Sequence, residues 1–406
     1  MPQAKALYQW EQRVATFFPQ LPPRRRAWLA LVSWGIVLAQ CALLSRVVLR
    51  LAVALRTPFN TLRQRLRKGY RPGADAAGQG GAFDYTTCFA PLLRWATAGF
   101  TDRRLALAID PTNLGDRFTI LTASVVFRGC AVPVAWHVQR GDAKGSWNEH
   151  WRRLLGLLRA ALGEGWQVLV LSDRGLQSKE LFETITALGW HPLMRAKKGG
   201  RFLPDGWAKG LALGQFVTRP GGRWRGRGVA WPTSSRLSCT LLACWEDGHE
   251  EPWLILTDLG PHDATAVWYA WRGWIEQGFR DLKSDGWRLS RTRMADPERV
   301  GRWWVAAALA TLWVLEAGAE AQRLAIPATQ AHEGAGGAFV TSLFALGLVW
   351  LAEQLGRGVV RRLRRLPQPG WPLSAEEDQP VQPLCGIAVH PPIPLQGGGG
   401  PHRGTP

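Results

Sequence analysis

Three apolar runs follow one another almost without a break, at residues 105–110, 118–127 and 131–139, and the chain then changes to alternating helix and strand patterns. The first run ends in a carboxylate, Asp110, and Arg128-Gly129-Cys130 reads as a hairpin-like turn between the second and third. Residues 147–162 carry helical apolar spacing through Trp151, Leu154, Leu155, Leu158 and Leu162. A buried-strand run at 167–172 then ends at Asp173-Arg174-Gly175, and a helix at 179–188 and a strand at 191–196 follow. The order β-β-β-α-β-α-β demands a mixed sheet with helical crossovers, so the fold class is α/β.

The rest of the chain divides around this segment. Residues 1–95 read as a helical basic region: Arg46 and Arg50 lie one turn apart, Thr57-Pro58-Phe59-Asn60 breaks the helix, and the basic stretch 61–68 resumes it on Leu62 and Leu66. That helix-turn-helix could equally be a nucleic-acid-reading unit or a solvated charged face. Residues 73–81 have the Gly/Ala composition of a linker. Residues 96–196 and 252–325 form the expected core, with a helix at 264–284 and an apolar helix at 299–322. Gly- and Arg-rich residues 197–251 form a β-rich insertion between them. A C-terminal helical region covers 326–366. Residues 367–406, with ten of the 27 prolines and four consecutive glycines at 397–400, read as a disordered tail.

Charge narrows the partners. Lys and Arg number 50 against 31 Asp and Glu, a formal charge of +19, which favours a polyanion, either nucleic acid or an anionic membrane. Six scattered Cys with no CxxC pair argue against a disulfide framework or structural zinc and fit a reducing compartment; no secretory signal follows Met1. The apolar run 27–45 is long enough to span a membrane, but Ser33, Gly35, Gln40 and Ser45 interrupt it and Arg flanks both sides, so a buried helix is the preferred reading. The 23 Trp suit both cores and base-stacking surfaces.

Asp110 and Asp173 occupy equivalent places after apolar strands, where ligands gather in α/β sheets. Two such carboxylates can share a hard cation such as Mg²⁺, although an Asp at a strand end is also a common turn or helix cap. The helix at 264–284 adds Tyr269, Arg272, Glu276, Arg280 and Lys283 at offsets of 0, 3, 7, 11 and 14. At 3.6 residues per turn these share one face of roughly 100°. That face is either a salt-bridged solvent surface or the cations and third carboxylate of a phosphodiester site. Asp116, Asp142 and Glu149 are further acids that could complete a different set.

The spacing Tyr269-x2-Arg272-x3-Glu276-x6-Lys283, after Ala108-Ile109-Asp110-Pro111-Thr112 and Leu171-Ser172-Asp173-Arg174-Gly175, resembles the Tyr-Arg-Glu-Lys signature of bacterial DDE transposases of the insertion-sequence-4 type. The resemblance covers about residues 105–293. It implies an RNase H-like (retroviral-integrase-type) catalytic core with a β-rich insertion, flanked by helical N- and C-terminal regions. It further implies that Asp110, Asp173 and Glu276 are the catalytic, metal-binding triad for two Mg²⁺ ions, with Mn²⁺ able to substitute. Tyr269, Arg272, Lys283 and Arg280 would bind phosphate, and an insertion Trp would stack on a flipped base, Trp224 being preferred over Trp207, Trp231 and Trp245.

The implied activity is cut-and-paste transposition: strand nicking, hairpin formation and resolution, then strand transfer by in-line attack at phosphorus. The implied partners are double-stranded DNA, as terminal inverted repeats and target, and a second copy in a homodimeric synaptic complex. The setting is the cytoplasm at the nucleoid, with no membrane. Another RNase H-like nuclease, an inactive transposase copy and a membrane protein with a basic loop domain are the alternatives.

Overall fold

The computed structural model describes residues 2–70, 83–324, 342–358 and 363–369. The linker expected at 73–81 and nearly all of the expected tail lie outside these residues. Five helices open the chain: α1 (Pro2–Phe17), α2 (Pro23–Ala39), α3 (Leu44–Leu55), α4 (Phe59–Tyr70) and α5 (Phe89–Ala96). The apolar run at 27–45 is split between α2 and α3. Pro23 starts α2 at a position where a missing N–H does no harm, and Gln40 ends it in the left-handed conformation. From there α3 turns away by 94°. Trp34, Ile36 and Val37 on α2 are fully buried, as the buried-helix reading expected.

Among the described residues ten strands form one sheet. They are β1 (Arg104–Leu114), β2 (Phe118–Phe127), β3 (Cys130–Arg140), β4 (Gln167–Ser172), β5 (His191–Arg195), β6 (Arg201–Pro204), β7 (Leu211–Ala212), β8 (Arg223–Ala230), β9 (Leu237–Cys244) and β10 (Trp253–Thr257). Their order is β3-β2-β1-β4-β5-β10-β9-β8-β6-β7. The first three make an antiparallel meander, β4 and β5 add in parallel, and β10 returns antiparallel to β5. Crossovers run through α6 (Asn148–Arg159) and α7 (Lys179–Ala187). The mixed α/β class expected from the pattern is the one observed. The β-rich insertion is no separate body, because β6 to β9 extend the same sheet beyond β10.

Every residue of β2 is buried, as a central strand covered on both faces requires. Helix α6 packs against β2, and its neighbour β3 is covered by α9 (Pro297–Arg323), which also packs against α2 and α10 (Leu343–Gly356). Helix α9 is the one described helix long and apolar enough by itself to cross a membrane, and 94% of its apolar window is inside the protein. Trp303, Trp304 and Trp313 on α9, with Trp10, Trp34, Trp95, Trp136, Trp151, Trp190 and Trp287, are among the largest fully buried side chains. Much of the tryptophan surplus is therefore core. Glu316 on α9 is also buried; it accepts hydrogen bonds from Arg13 (2.7 Å) on α1 and from the Trp95 indole (3.1 Å) on α5.

Two local features differ from the sequence expectation. The helix foreseen at 264–284 is a 3₁₀ helix over Ala266–Gly273 followed by α8 (Trp274–Lys283). Thr265 caps its start by accepting from the Val267 amide. Residues three apart eclipse in a 3₁₀ helix, so Tyr269 and Arg272 stand directly one above the other. The second difference lies at the other end of the chain. Gln368, foreseen in the tail, accepts from the Asp102 amide (2.6 Å) and donates to the Arg104 carbonyl (3.3 Å), so this position is held against the start of β1.

Candidate active site

Asp110 lies inside β1 rather than at its end, which corrects the sequence reading. The parallel ladder between β1 and β4 stops at the pair Ile109–Ser172. Beyond it β1 continues to Leu114 with β2 as its only strand partner among the described residues. Pro111 lacks an N–H and is tolerated because one side of the strand is open there. Asp110 and Asp173 each follow immediately after this last pair, on adjacent strands. Asp173 leads into a short 3₁₀ turn, yet its side chain makes no capping bond. The capping role that competes with a functional one is thus not used.

The third acid comes from α8. Gly278 seats that helix on β3: a Cβ there would lie 2.8 Å from the Ala131 Cβ. The close approach brings the first turn of α8, with Glu276, toward Asp110 and Asp173. All three carboxylates converge on one guanidinium. Arg272 reaches Asp110 at 3.0 Å and Asp173 at 3.9 Å, and donates a short hydrogen bond to Glu276 one turn ahead. The Arg272 side chain is 13% exposed and Asp110 15%, whereas Glu276 is 54% exposed. Tyr269 donates a long hydrogen bond of 3.4 Å to Asp173.

The electrostatics follow from burial. Asp110 is pushed up to about 6 by desolvation; Arg272 pulls it back down, and Asp173 and Glu276 add repulsion. Burial works against the charge on Arg272, but Asp110, Tyr269, Asp173 and Glu276 outweigh it and hold the guanidinium above its ordinary pKa. Burial also raises the Tyr269 phenol, so it stays a neutral donor. Lys283 is drawn down by burial and held up by Asp110, and its ammonium donates to Thr112 (2.7 Å) on β1.

Of the residues foreseen, Asp110, Asp173, Glu276, Tyr269, Arg272 and Lys283 come together. Arg280 is exposed on α8, one turn beyond Glu276. Trp224 stands apart on β8, its ring against Phe216 (4.5 Å) and Phe202 (5.9 Å). It lines a hollow of about 380 Å³ with Arg223, Arg225 and Thr265. Trp207 is the most open of the four insertion candidates, at 49% exposed. The rival acids sit elsewhere: Asp116 lies in the turn between β1 and β2, Asp142 pairs with Arg140, and Glu149 with Arg152.

A basic group flanks Asp173, of which Arg174 was open in the sequence between a DNA contact and a salt bridge, and Arg195 and Lys198 were not foreseen. Arg174, Arg195 and Lys198 all pair with Glu251, at 2.8, 3.4 and 3.4 Å. Arg195 ends β5 as Asp173 follows β4, and the pairing of Ser172 with Met194 sets them side by side. The strand-end reasoning that found Asp110 and Asp173, applied to β5, would have found it.

Three carboxylates are the donor chemistry a hard divalent ion prefers. Their arrangement is another matter. Among the described residues no group of three or more His, Cys, Asp or Glu side chains could hold a metal ion. As placed, Asp110, Asp173 and Glu276 surround the Arg272 guanidinium, and the arrangement fits that cation rather than a metal.

Residues 116–313 match the family described as the transposase DDE domain. The matched segment contains Asp173, Tyr269, Arg272, Glu276 and Lys283 and begins six residues after Asp110. No curated protein matches the chain.

Proposed function

We propose that the chain is a DDE transposase acting on double-stranded DNA. The observation that carries the reading is the convergence of Asp110, Asp173 and Glu276, from three separate segments, on one spot at the rim of the sheet. The transposase DDE domain match over residues 116–313 supports it independently. The order β3-β2-β1-β4-β5, an antiparallel meander followed by parallel strands, supports an RNase H-like core of the retroviral-integrase type, and the Tyr-Arg-Glu-Lys spacing supports the insertion-sequence-4 subgroup.

In this reading the three carboxylates are the oxygen donors that would hold the divalent ions, two Mg²⁺ or Mn²⁺, that such chemistry uses, although as placed they surround Arg272. The chain's own cations do the rest. Lys283, set beside Asp110 by Thr112, meets a phosphate oxygen of the strand being cut, and the Tyr269 hydroxyl is a neutral donor to the same backbone. Arg280 on the exposed face of α8 and the group Arg174, Arg195 and Lys198 extend the positive surface along the DNA. Trp224, between Arg223 and Arg225, is the ring available to a flipped base. The reaction is cut-and-paste transposition through nicking, hairpin formation and resolution, and strand transfer. It takes place in a homodimeric complex with the terminal inverted repeats and target DNA, in the cytoplasm at the nucleoid.

The test uses linear DNA ending in the inverted repeats that flank the gene, pre-cut to expose 3′-OH ends, with a plasmid target and Mg²⁺. Joined products are the expected result. Cleavage without joining would instead make the protein a nuclease, and binding with neither would mark an inactive copy.

A further inference from the structure

Strand β8 carries a basic ladder away from the carboxylates. Arg223, Arg225 and Arg227 are exposed at alternate positions, opposite Cys244, Leu242 and Thr240 of β9. Alternate residues of a strand share one face and stand about 6.7 Å apart, close to the separation of successive phosphates along a DNA strand. Arg223 pairs with Glu246 at 2.9 Å. Among the described residues no hydrogen bond or ion pair holds the guanidinium of Arg225 or Arg227. We propose that Arg223, Arg225 and Arg227 form a rail for the phosphate backbone of one DNA strand, gripping it without regard to sequence on its way from the carboxylates across the insertion. The proposal rests on the chain acting on double-stranded DNA.

The register of the sheet places this rail level with the site. Arg195 follows Met194, the partner of Ser172, and is therefore level with Asp173. From Arg195 one row of paired residues crosses the sheet through Ile255 and Leu242 to Arg225. Directly paired residues project to the same face, so Arg195 and Arg225 lie on one side of the sheet. Between β4 and β8 there are four strand spacings, about 19 Å, or about six base-pair steps of a duplex. The hollow of about 380 Å³ separates the rail from the 3₁₀ helix that carries Tyr269, with Arg223 and Arg225 on one side and Thr265 and Ala266 on the other. Arginine stems can also serve only to cover apolar neighbours such as Leu242. Two guanidiniums without an acid partner, at phosphate spacing and in line with Asp173, favour the backbone role. The planar fork suits it, since it can pair two nitrogens with the oxygens of one phosphate.

The experiment measures binding of the full chain in EDTA to the flanking inverted-repeat duplex and to a scrambled duplex of equal length, by fluorescence anisotropy at several salt concentrations. Arg225→Gln with Arg227→Gln should weaken binding to both duplexes alike, by about tenfold, and lower the slope of log affinity against log salt by about 2. Arg225→Lys with Arg227→Lys keeps the charges and should keep the slope. Arg103→Gln with Arg357→Gln removes two exposed charges elsewhere and should leave the slope unchanged. A neutral methylphosphonate about six base pairs from the cut end should weaken the wild type but not the glutamine double variant. If that variant does not fold, Arg227→Gln alone decides, with a slope lower by about 1 supporting the rail and an unchanged slope overturning it. An unchanged slope in the glutamine double variant, an equal loss in the control pair, or a loss confined to the inverted repeat would overturn the rail and leave the DNA reading intact. No binding to either duplex by the wild type would remove that reading and the proposal with it.

Discussion

Lys283, the last residue of α8, donates a 2.7 Å hydrogen bond to Thr112, two residues beyond Asp110 on β1. The bond ties the helix that carries Glu276 to the strand that carries Asp110, and it sets an ammonium at the edge of the carboxylates. Removing the charge should therefore act on DNA rather than on folding. Lys283→Ala is expected to weaken binding to the element end and to lower the slope of log affinity against log salt by about 1. Thr112→Val, which keeps the charge and loses the tether, should leave that slope alone. Titrations at several salt concentrations read both.

Glu276→Gln keeps the shape of the side chain and removes its negative charge. Cleavage and strand transfer should both be lost while end binding remains within a few-fold of wild type. Substantial cutting by this variant in Mg²⁺ would remove Glu276 from the triad.

The seat of α8 on β3 leaves no room at Gly278, where a Cβ would also come within 3.1 Å of the Ala131 carbonyl oxygen. Gly278→Val should destabilise the protein by about 1–3 kcal/mol, the usual range for overpacking, and should shift Glu276 away from Asp110. Urea unfolding measures the first effect. A drop in activity larger than the fraction unfolded measures the second.

Glu316 gives stability a pH dependence. Burial raises its pKa to about 7, while Arg13, Trp95 and Arg365 pull it down. Between its unfolded value near 4.5 and about 7, the folded state holds the proton more firmly than the unfolded chain, so this contribution to stability is present at low pH and is lost as pH rises through that window. Glu316→Gln removes the titration and preserves an acceptor for Arg13 and Trp95. The fall in Tm from pH 5 to pH 8 should be shallower in this variant; an unchanged slope would place the titration elsewhere, with buried Asp281, also raised to about 7, the next residue to replace.

Trp224 tests the role of the insertion. With 2-aminopurine at the hairpin tip, Trp224→Ala should reduce the fluorescence change on binding and slow hairpin opening, leaving first-strand nicking near wild type. An equal loss in both steps would make Trp224 a packing residue that fills the space beside Phe216 and Phe202.

The sequence by itself determined the elements and the residue types that the fold brings together at the site. Apolar periodicity is local, so β1 to β5, α6, α7 and the buried α2 and α9 could be read from it. The spacing of Tyr269, Arg272, Glu276 and Lys283 could be read because one rigid segment fixes it. Tertiary structure decided what depends on register and on distant neighbours. Only the pairing of Ile109 with Ser172 shows that Asp110 marks the end of a ladder and not of a strand, since β2 supports β1 past Pro111. Only docking of α8 on Ala131, through Gly278, brings Glu276 to the two aspartates. The 3₁₀ winding of residues 266–273 was equally invisible, because 3₁₀ and α turns suit the same apolar pattern and packing chooses between them. Arg272 shows the division most sharply. Its sequence offset from Glu276 announced one ion pair, but contact with all three carboxylates required chain segments more than 150 residues apart to meet, and long-range packing alone sets that geometry.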